Sequence, residues 1–149
     1  MPETKLNPEL FVFPVRVYYE DTDAGGVVYH SNYLNFFERS RTEWLRHLGY
    51  EQDELRESNS IVFVVRSINL DYLKPARFNQ QLMVTTEVVE LGACTITMHQ
   101  KILHGRSSGE VDVCAKGSVD LVCVDSDTFK PKRIPGMIRQ SLLLTDTQA

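Results

Sequence analysis

The chain has 149 residues, of which 42% are hydrophobic and 24% charged, with a formal net charge of −4. That size suits one ordinary domain able to bury most of its apolar surface without disulfide or metal staples. The acidic balance excludes a broad nucleic-acid or anionic-membrane surface, since either needs an excess of Lys and Arg, but it leaves room for a local basic patch serving one phosphorylated ligand.

The opening residues MPETKLNPELFVFPV lack a basic start followed by an apolar run of signal-peptide length, and Pro2, Pro8 and Pro14 would interrupt one. No window reaches the roughly 18 apolar residues of a membrane span. A cytoplasmic protein is expected. Residues 10–19, LFVFPVRVYY, are β-branched and aromatic and alternate from Val15, so they read as a strand with Pro14 marking an edge or strand start. EDTDAGGVVYHSNY (20–33) follows, a loop of acids and glycines with a His just before a helix start. In NYLNFFERSRTEWLRHLGY, Tyr33, Phe37, Ser40, Trp44 and Leu48 share one helical face, flanked by Leu34, Phe36, Arg41 and Leu45. Ser31 or Asn32 is placed to cap the start and Gly49 to stop the helix. About 17 residues give a rod of roughly 25 Å, and its aromatic stripe calls for a sheet to lie against.

After EQDELRESN, a candidate short helix, the period changes to two. Strands are expected over 61–73, 80–91, 93–103 and 110–125, with turns at 92–95 and 104–110. In the last strand Val111, Val113, Ala115, Gly117, Val119, Leu121 and Cys123 fall on one face, and the small Ala115 and Gly117 suit a place where a thick helix presses. IPGMIRQSLLL reads as a short helix or irregular tail. The order is strand, long helix, then four antiparallel strands of meander type, in one domain spanning 1–149. The expected class is α+β, a curled antiparallel sheet of about five strands wrapped around one long central helix. The long 110–125 strand invites pairing with a second copy, so at least a homodimer is expected. Cys94, Cys114 and Cys123 form no CxxC pair and are odd in number, which fits free thiols in a reducing compartment.

The 20–33 motif has a chemical reading. A helix N-terminus presents unpaired N–H groups that stabilise negative charge developing on a carbonyl oxygen. Glycines before it let a substrate approach the backbone. A carboxylate a few residues upstream, Asp21 or Asp23, is able to attack that carbonyl or activate water toward it. These parts suffice for ester or thioester hydrolysis. The same residues are also ordinary turn formers, with Asp21, Thr22 or Asp23 bonding only the loop.

VRVYYEDTDAGGVVYHSNYLNFFERSRTEWLRHLG resembles the start of the hotdog-fold acyl-CoA thioesterases of the 4-hydroxybenzoyl-CoA thioesterase type, in particular the YbgC-type bacterial subgroup associated with the Tol–Pal envelope machinery. The similarity runs on through FVVRSINLDYLKPARFNQQL to LVCVDSDTFKPKRIP. The resemblance implies a hotdog fold and hydrolysis of acyl thioesters to free acid and CoA. It makes Asp23 the nucleophile or general base and the amide at His30 the group polarising the carbonyl, with the His30 side chain assisting. Tyr29 and Asn32 match motif positions that shape the pocket and cap the helix. It implies no cofactor, CoA being part of the substrate, and a homodimer or homotetramer. Acyl carrier protein is a further partner it suggests.

CoA is heavily phosphorylated, so an acidic protein needs cations for it. Lys74 and Arg77 in LKPAR, Arg66 in an otherwise apolar strand, and Lys130, Lys132 and Arg133 in FKPKR are the candidates. Glu38 and Glu43 are carboxylates on the helix, Glu43 with Arg46 and His47 at ion-pair spacing. His99 and His104 lack partners at ligand spacing, and nothing resembles a metal site or a nucleotide-binding glycine loop. Two other functions compete: a protein that mainly binds acyl carrier protein or envelope-lipid partners with weak hydrolysis, and a dehydratase of hydroxyacyl thioesters, whose usual HFPG-like loop is missing here.

Overall fold

The computed structural model describes Leu6 and residues 9–143. The elements in chain order are β1 (Phe11–Arg16), a single 3-10 turn (Tyr19–Asp21), α1 (Asn32–His47), α2 (Gln52–Asn59), β2 (Ile61–Tyr72), β3 (Gln81–Leu91), β4 (Thr95–Gly105), β5 (Val111–Asp125) and α3 (Gly136–Leu142).

In α1, Tyr33, Phe36, Phe37, Ser40, Trp44 and Leu45 are buried. They recur at three and four residues and form the wide apolar stripe a sheet-facing helix needs. The stripe is broader than the single face expected from sequence, since Phe36 and Leu45 belong to it while Leu48 is only partly buried. Gly49 stops the helix at φ +101°: its N–H donates to the Arg46 carbonyl at 2.9 Å and the Tyr50 N–H to the Leu45 carbonyl at 3.1 Å. That paired ending is favoured by glycine in the left-handed region.

The five strands form one antiparallel sheet in the order β1-β3-β4-β5-β2. Only β3–β4–β5 is the expected meander. β2 lies on the far edge beside β5, so the segment 73–80 crosses from one edge of the sheet toward the other, to reach β3 beside β1. This corrects the expectation that the 110–125 strand pairs with a second copy. β5 is an inner strand whose two sides are already bonded to β4 and β2, and the edges are β1, which carries Pro14, and β2.

The expected single face of β5 also needs correction. Val113 pairs with Leu103 and Ala115 with Ile102, which leaves Cys114 as an extra residue in a bulge. A bulge flips the alternation: Val111 is exposed and Cys114 buried, and the regular inward set begins at Ala115. From there the small residues act as expected. A Cβ on Gly117 would lie 3.1 Å from the Asn69 carbonyl oxygen and 3.5 Å from Phe37 Cε2. A second bulge places Arg66 out of register on β2.

The core has two apolar clusters, one around Phe36, Phe37, Leu82, Val84 and Ala115 under the first half of α1, the other around Trp44, Leu45, Ile96, Met98, Val119 and Ile138 under the second. A polar seam runs between helix and sheet. Ser40 Oγ and Thr86 Oγ1 lie 2.9 Å apart, and Gln100 Nε2 donates to Thr86 Oγ1 at 2.9 Å and to the Phe37 carbonyl at 3.0 Å. Gln100 Oε1 accepts from Arg41 Nη1 at 2.8 Å. Burial pulls the pKa of the Arg41 guanidinium down, with Glu38 opposing. All three cysteines are free; burial raises the Cys114 thiol and pushes Cys123 up to about 11.

Candidate active site

The site grows from the loop between β1 and α1. After β1, the Val17 N–H donates to the Gln80 carbonyl at 2.9 Å and Tyr18 enters the 3-10 turn. Asp21, only 8% exposed, turns its carboxylate inward, where Oδ2 accepts the Tyr18 N–H at 2.8 Å. Its carbonyl accepts the Tyr29 N–H and the Asn32 Nδ2, each at 2.9 Å. Asp21 is therefore the knot that ties the loop to the helix, with one oxygen of its buried carboxylate committed to the Tyr18 N–H.

Beyond it the chain makes a small hairpin. Thr22 pairs with Val28, the Asp23 N–H donates to the Val27 carbonyl at 2.9 Å, and Gly26 turns at φ +78°. Asp23 projects outward and is exposed. Its Oδ1 accepts the Gly25 N–H at 2.8 Å, and Oδ2 has no partner among the described residues. A Cβ on Gly25 would come within 3.3 Å of that Oδ1.

The tip of α1 is set by two carbonyls. The Tyr29 carbonyl accepts the Asn32 N–H at 2.8 Å, and the His30 carbonyl accepts the Tyr72 hydroxyl at 3.1 Å. Among the described residues no peptide bond is cis, and in a trans peptide the N–H points opposite the carbonyl. The first bond therefore turns the His30 amide away from the helix, and the second fixes the peptide that carries the Ser31 amide. Neither amide donates to an acceptor among the described residues. The expected cap is overturned: Ser31 lies in the right-handed helical region and its side chain caps nothing, while the Asn32 carboxamide is held by the Asp21 carbonyl and by Asn35 at 3.0 Å. Within the first turn the Asn32 and Leu34 N–H groups donate to the Tyr29 and Ser31 carbonyls, so the open N–H groups at this dipolar end are those of His30 and Ser31. The Tyr29 ring packs on the His30 imidazole with centroids 4.4 Å apart, and Tyr72 meets that imidazole edge-on at 6.3 Å. Beneath, the buried Tyr33 hydroxyl accepts the Ala76 N–H at 3.0 Å and the Val28 N–H donates to the Ala76 carbonyl at 2.8 Å. Burial raises the Tyr33 phenol.

Residues 17–142 match the thioesterase-like superfamily. The chain belongs to that superfamily. It is 45% identical over 129 residues to the acyl-CoA thioesterase YbgC of Haemophilus influenzae, covering 87% of this chain and 91% of that one. A probable thioesterase from Bartonella henselae superimposes with a TM-score of 0.78 at 35% identity, covering 85% of this chain and 100% of that one. A variant of 4-hydroxybenzoyl CoA thioesterase, complexed with 4-hydroxybenzoyl CoA, shares the fold with a TM-score of 0.83 at 15% identity, over 89% of this chain and 98% of that one. The curled sheet around α1 is a hotdog fold, and the chain is a thioester hydrolase.

In this thioesterase the other candidates are scattered. Arg77 lies beside the motif, paired through its backbone with Val27. Lys74 is on the same 73–80 crossover but its Nζ sits 2.8 Å from Asp112. Arg106 bonds the same carboxylate, and the two cations hold it well below the usual carboxylate range. Arg66 is on the edge strand, about 20 Å along it from Tyr72, with its guanidinium 3.9 Å from Asp120. Lys132 reaches Asp125 at 3.7 Å and the Asn59 carbonyl at 3.2 Å, and Lys130 and Arg133 are exposed. Glu43 is ion-paired with Arg46, as its spacing suggested, whereas His47 pairs instead with Glu9. Glu38 lines an open groove of about 520 Å³ with Asn35 and Arg39 on the outer face of α1. Among the described residues no group of three His, Cys, Asp or Glu is arranged to hold a metal ion, and no helix is long and apolar enough to cross a membrane. A cavity of about 540 Å³ between α2 and β2 lies away from the motif, and Asp23 and His30 face an open surface of the single chain. The residue that sequence reasoning missed is Tyr72. It stands 42 positions from His30, and only the knowledge that β2 ends beneath the helix tip would have found it.

Proposed function

We propose that the chain hydrolyses acyl-CoA thioesters at the tip of α1, with Asp23 and the His30 amide as its working parts. The observation that carries this reading is the pair of amides at His30 and Ser31 that donate to no acceptor among the described residues, beside carbonyls held by the Asn32 N–H and the Tyr72 hydroxyl, with the exposed Asp23 carboxylate on the adjoining hairpin. The acyl carbonyl oxygen docks on the amides, which stabilise the charge that gathers on it as the tetrahedral centre forms. Asp23 acts in one of two ways. As nucleophile it forms an acyl-aspartyl anhydride that water then opens, and as general base it takes a proton from the attacking water. In both, the C–S bond breaks, the electron pair leaves with sulfur and CoA departs as its thiol or thiolate. The His30 imidazole, against Tyr29 and Tyr72, borders the same space.

The reading includes a homodimer or homotetramer. β2 is a free sheet edge that ends at Tyr72, so a second copy laid against this edge would border the helix tip and wall in the surface that Asp23 and His30 face. The test is thiol release from a panel of acyl-CoAs of graded chain length, together with sedimentation to give the oligomeric state. Turnover that vanishes in Asp23→Asn is the expected result. A folded wild-type protein that releases no thiol from any member would favour the alternative, a protein that binds acyl carrier protein or envelope-lipid partners.

A further inference from the structure

The end of the molecule that carries the Asp23 hairpin also carries a group of aromatic rings left in water. Tyr18 is 61% exposed, Tyr19 81% and Phe78 51%. Tyr19 and Phe78 hold each other edge to face, with centroids 5.8 Å apart. The backbone builds this juxtaposition. The Asn79 N–H donates to the Val17 carbonyl and the Val17 N–H to the Gln80 carbonyl, each at 2.9 Å, and Asn79 turns the chain at φ +68°. The crossover is thereby clamped to the end of β1, so the two rings are fixed against one another before any ligand arrives.

Two arginines belong to the same turn. Arg16 Nη1 donates to the Asn79 carbonyl at 2.8 Å, which holds that side chain at the turn carrying Phe78. Arg77 immediately precedes Phe78, and its backbone pairs with Val27, the residue whose carbonyl takes the Asp23 N–H. Among the described residues neither guanidinium has a carboxylate within ion-pair distance, whereas Arg46, Arg106 and Lys74 are all paired. Of the carboxylates on the neighbouring turn, Asp21 is occupied with the Tyr18 N–H, and Glu20 is exposed. Exposed aromatic faces accept a nucleobase by stacking and free guanidiniums accept phosphate oxygens in pairs. A purely apolar partner would leave the two cations unmatched.

We propose that the Tyr19–Phe78 ring pair, flanked by Arg16 and Arg77, seats the nucleotide end of the CoA substrate, with the base on the rings and the phosphates on the guanidiniums. This rests on the acyl-CoA reading above, and it names the part of the substrate that the hydrolytic parts do not touch. Glu20 opposes the phosphates, so Glu20→Gln should tighten binding modestly.

The experiment has two arms. In the first, the full chain is titrated with adenosine 3′,5′-bisphosphate and followed by NMR or calorimetry. Saturable binding is expected, weakened about tenfold or more in Arg77→Gln and in Tyr19→Ala, as loss of a charge-assisted contact or a stacking face requires. No binding to the wild type, or equal binding to all three proteins, overturns the proposal. In the second, each protein hydrolyses one acyl group presented on CoA and on N-acetylcysteamine, which has no nucleotide. The variants should raise KM on CoA alone and leave the small thioester unaffected. Equal loss on both substrates marks a structural role and overturns the proposal, as does a variant that changes oligomeric state, which would assign the rings to a second copy. Failure of the hydrolytic reading would be seen separately, as a wild type inert toward both thioesters while the nucleotide titration still reports on the seat.

Discussion

The tip of α1 and its middle are both rich in polar groups, and they use them in opposite ways. At the middle, Ser40, Thr86 and Gln100 are fully buried and bonded to one another, to the Phe37 carbonyl and to Arg41. At the tip, Asp21, Asn32 and Tyr72 spend polar atoms on scaffolding, while the His30 and Ser31 amides have no acceptor among the described residues and the Asp23 carboxylate is exposed. A satisfied buried network specifies how helix and sheet fit together. A rigidly aimed and unsatisfied one is ready for a substrate. Asp21 and Asp23 condense the contrast, being the same side chain two positions apart, the first buried on the Tyr18 N–H and the second exposed.

That contrast is open to test, beginning with the largest effect. Asp23→Asn should lower kcat by about three orders of magnitude, or about 4 kcal/mol of barrier, with circular dichroism and thermal midpoint unchanged. Asp21→Asn keeps an oxygen for the Tyr18 N–H and should cost less than about tenfold in rate; equal losses at the two positions would erase the distinction between them. Gln100→Ala should do the reverse of Asp23→Asn. It takes the acceptor from the half-buried Arg41 and the donor from the Phe37 carbonyl and Thr86 Oγ1, and denaturant unfolding should show a loss of about 2–3 kcal/mol, while kcat in the surviving folded protein holds. Gly117→Ala presses a methyl against the Asn69 carbonyl and Phe37, so a destabilisation of about 1–2 kcal/mol is expected by the same measurement.

The smallest effect concerns Cys123, in the apolar cluster under the second half of α1. Its thiol is raised by burial from 9.0 to about 11. The folded state therefore keeps a proton that the unfolded chain gives up first, so this contribution is intact below pH 9 and drains away as pH climbs toward 11. Unfolding followed across that window should show a shallower decline in Cys123→Ala than in the wild type.

Much of this was legible from local pattern. The 3.6 period gave α1, and Gly49 gave its end because a left-handed residue there is a local need. The run from Asp21 to Asn32 marked the turn into α1, and Ala115 and Gly117 announced the pressure of a helix. What was not legible depends on pairing between distant segments. The bulge at Cys114 follows from the match of β5 to β4, which no alternation within β5 reveals. The place of β2 follows from where the chain emerges after α2, so the meander expectation erred there and with it the choice of the exposed edge. Ser31 looked like a cap by type, but Asp21, eleven residues before Asn32, already held that turn. Lys74 looked like a free cation until Asp112 and Arg106 were brought to it across the sheet.

The crossover at 73–80 has a consequence for how the protein comes together. Ala76 grips Val28 and Tyr33, Asn79 and Gln80 grip Val17, and Tyr72, the last residue of β2 before it, grips His30. Each of these is a contact between segments far apart along the polypeptide, which are costly to close early in folding. The tip of α1 is thus assembled by the same strap that joins the two margins of the sheet, and on the proposed function a chain with its helix formed but this strap undocked is expected to be inert. Recovery of turnover during refolding should coincide with the last step of closure, making the reaction itself a reporter of completed topology.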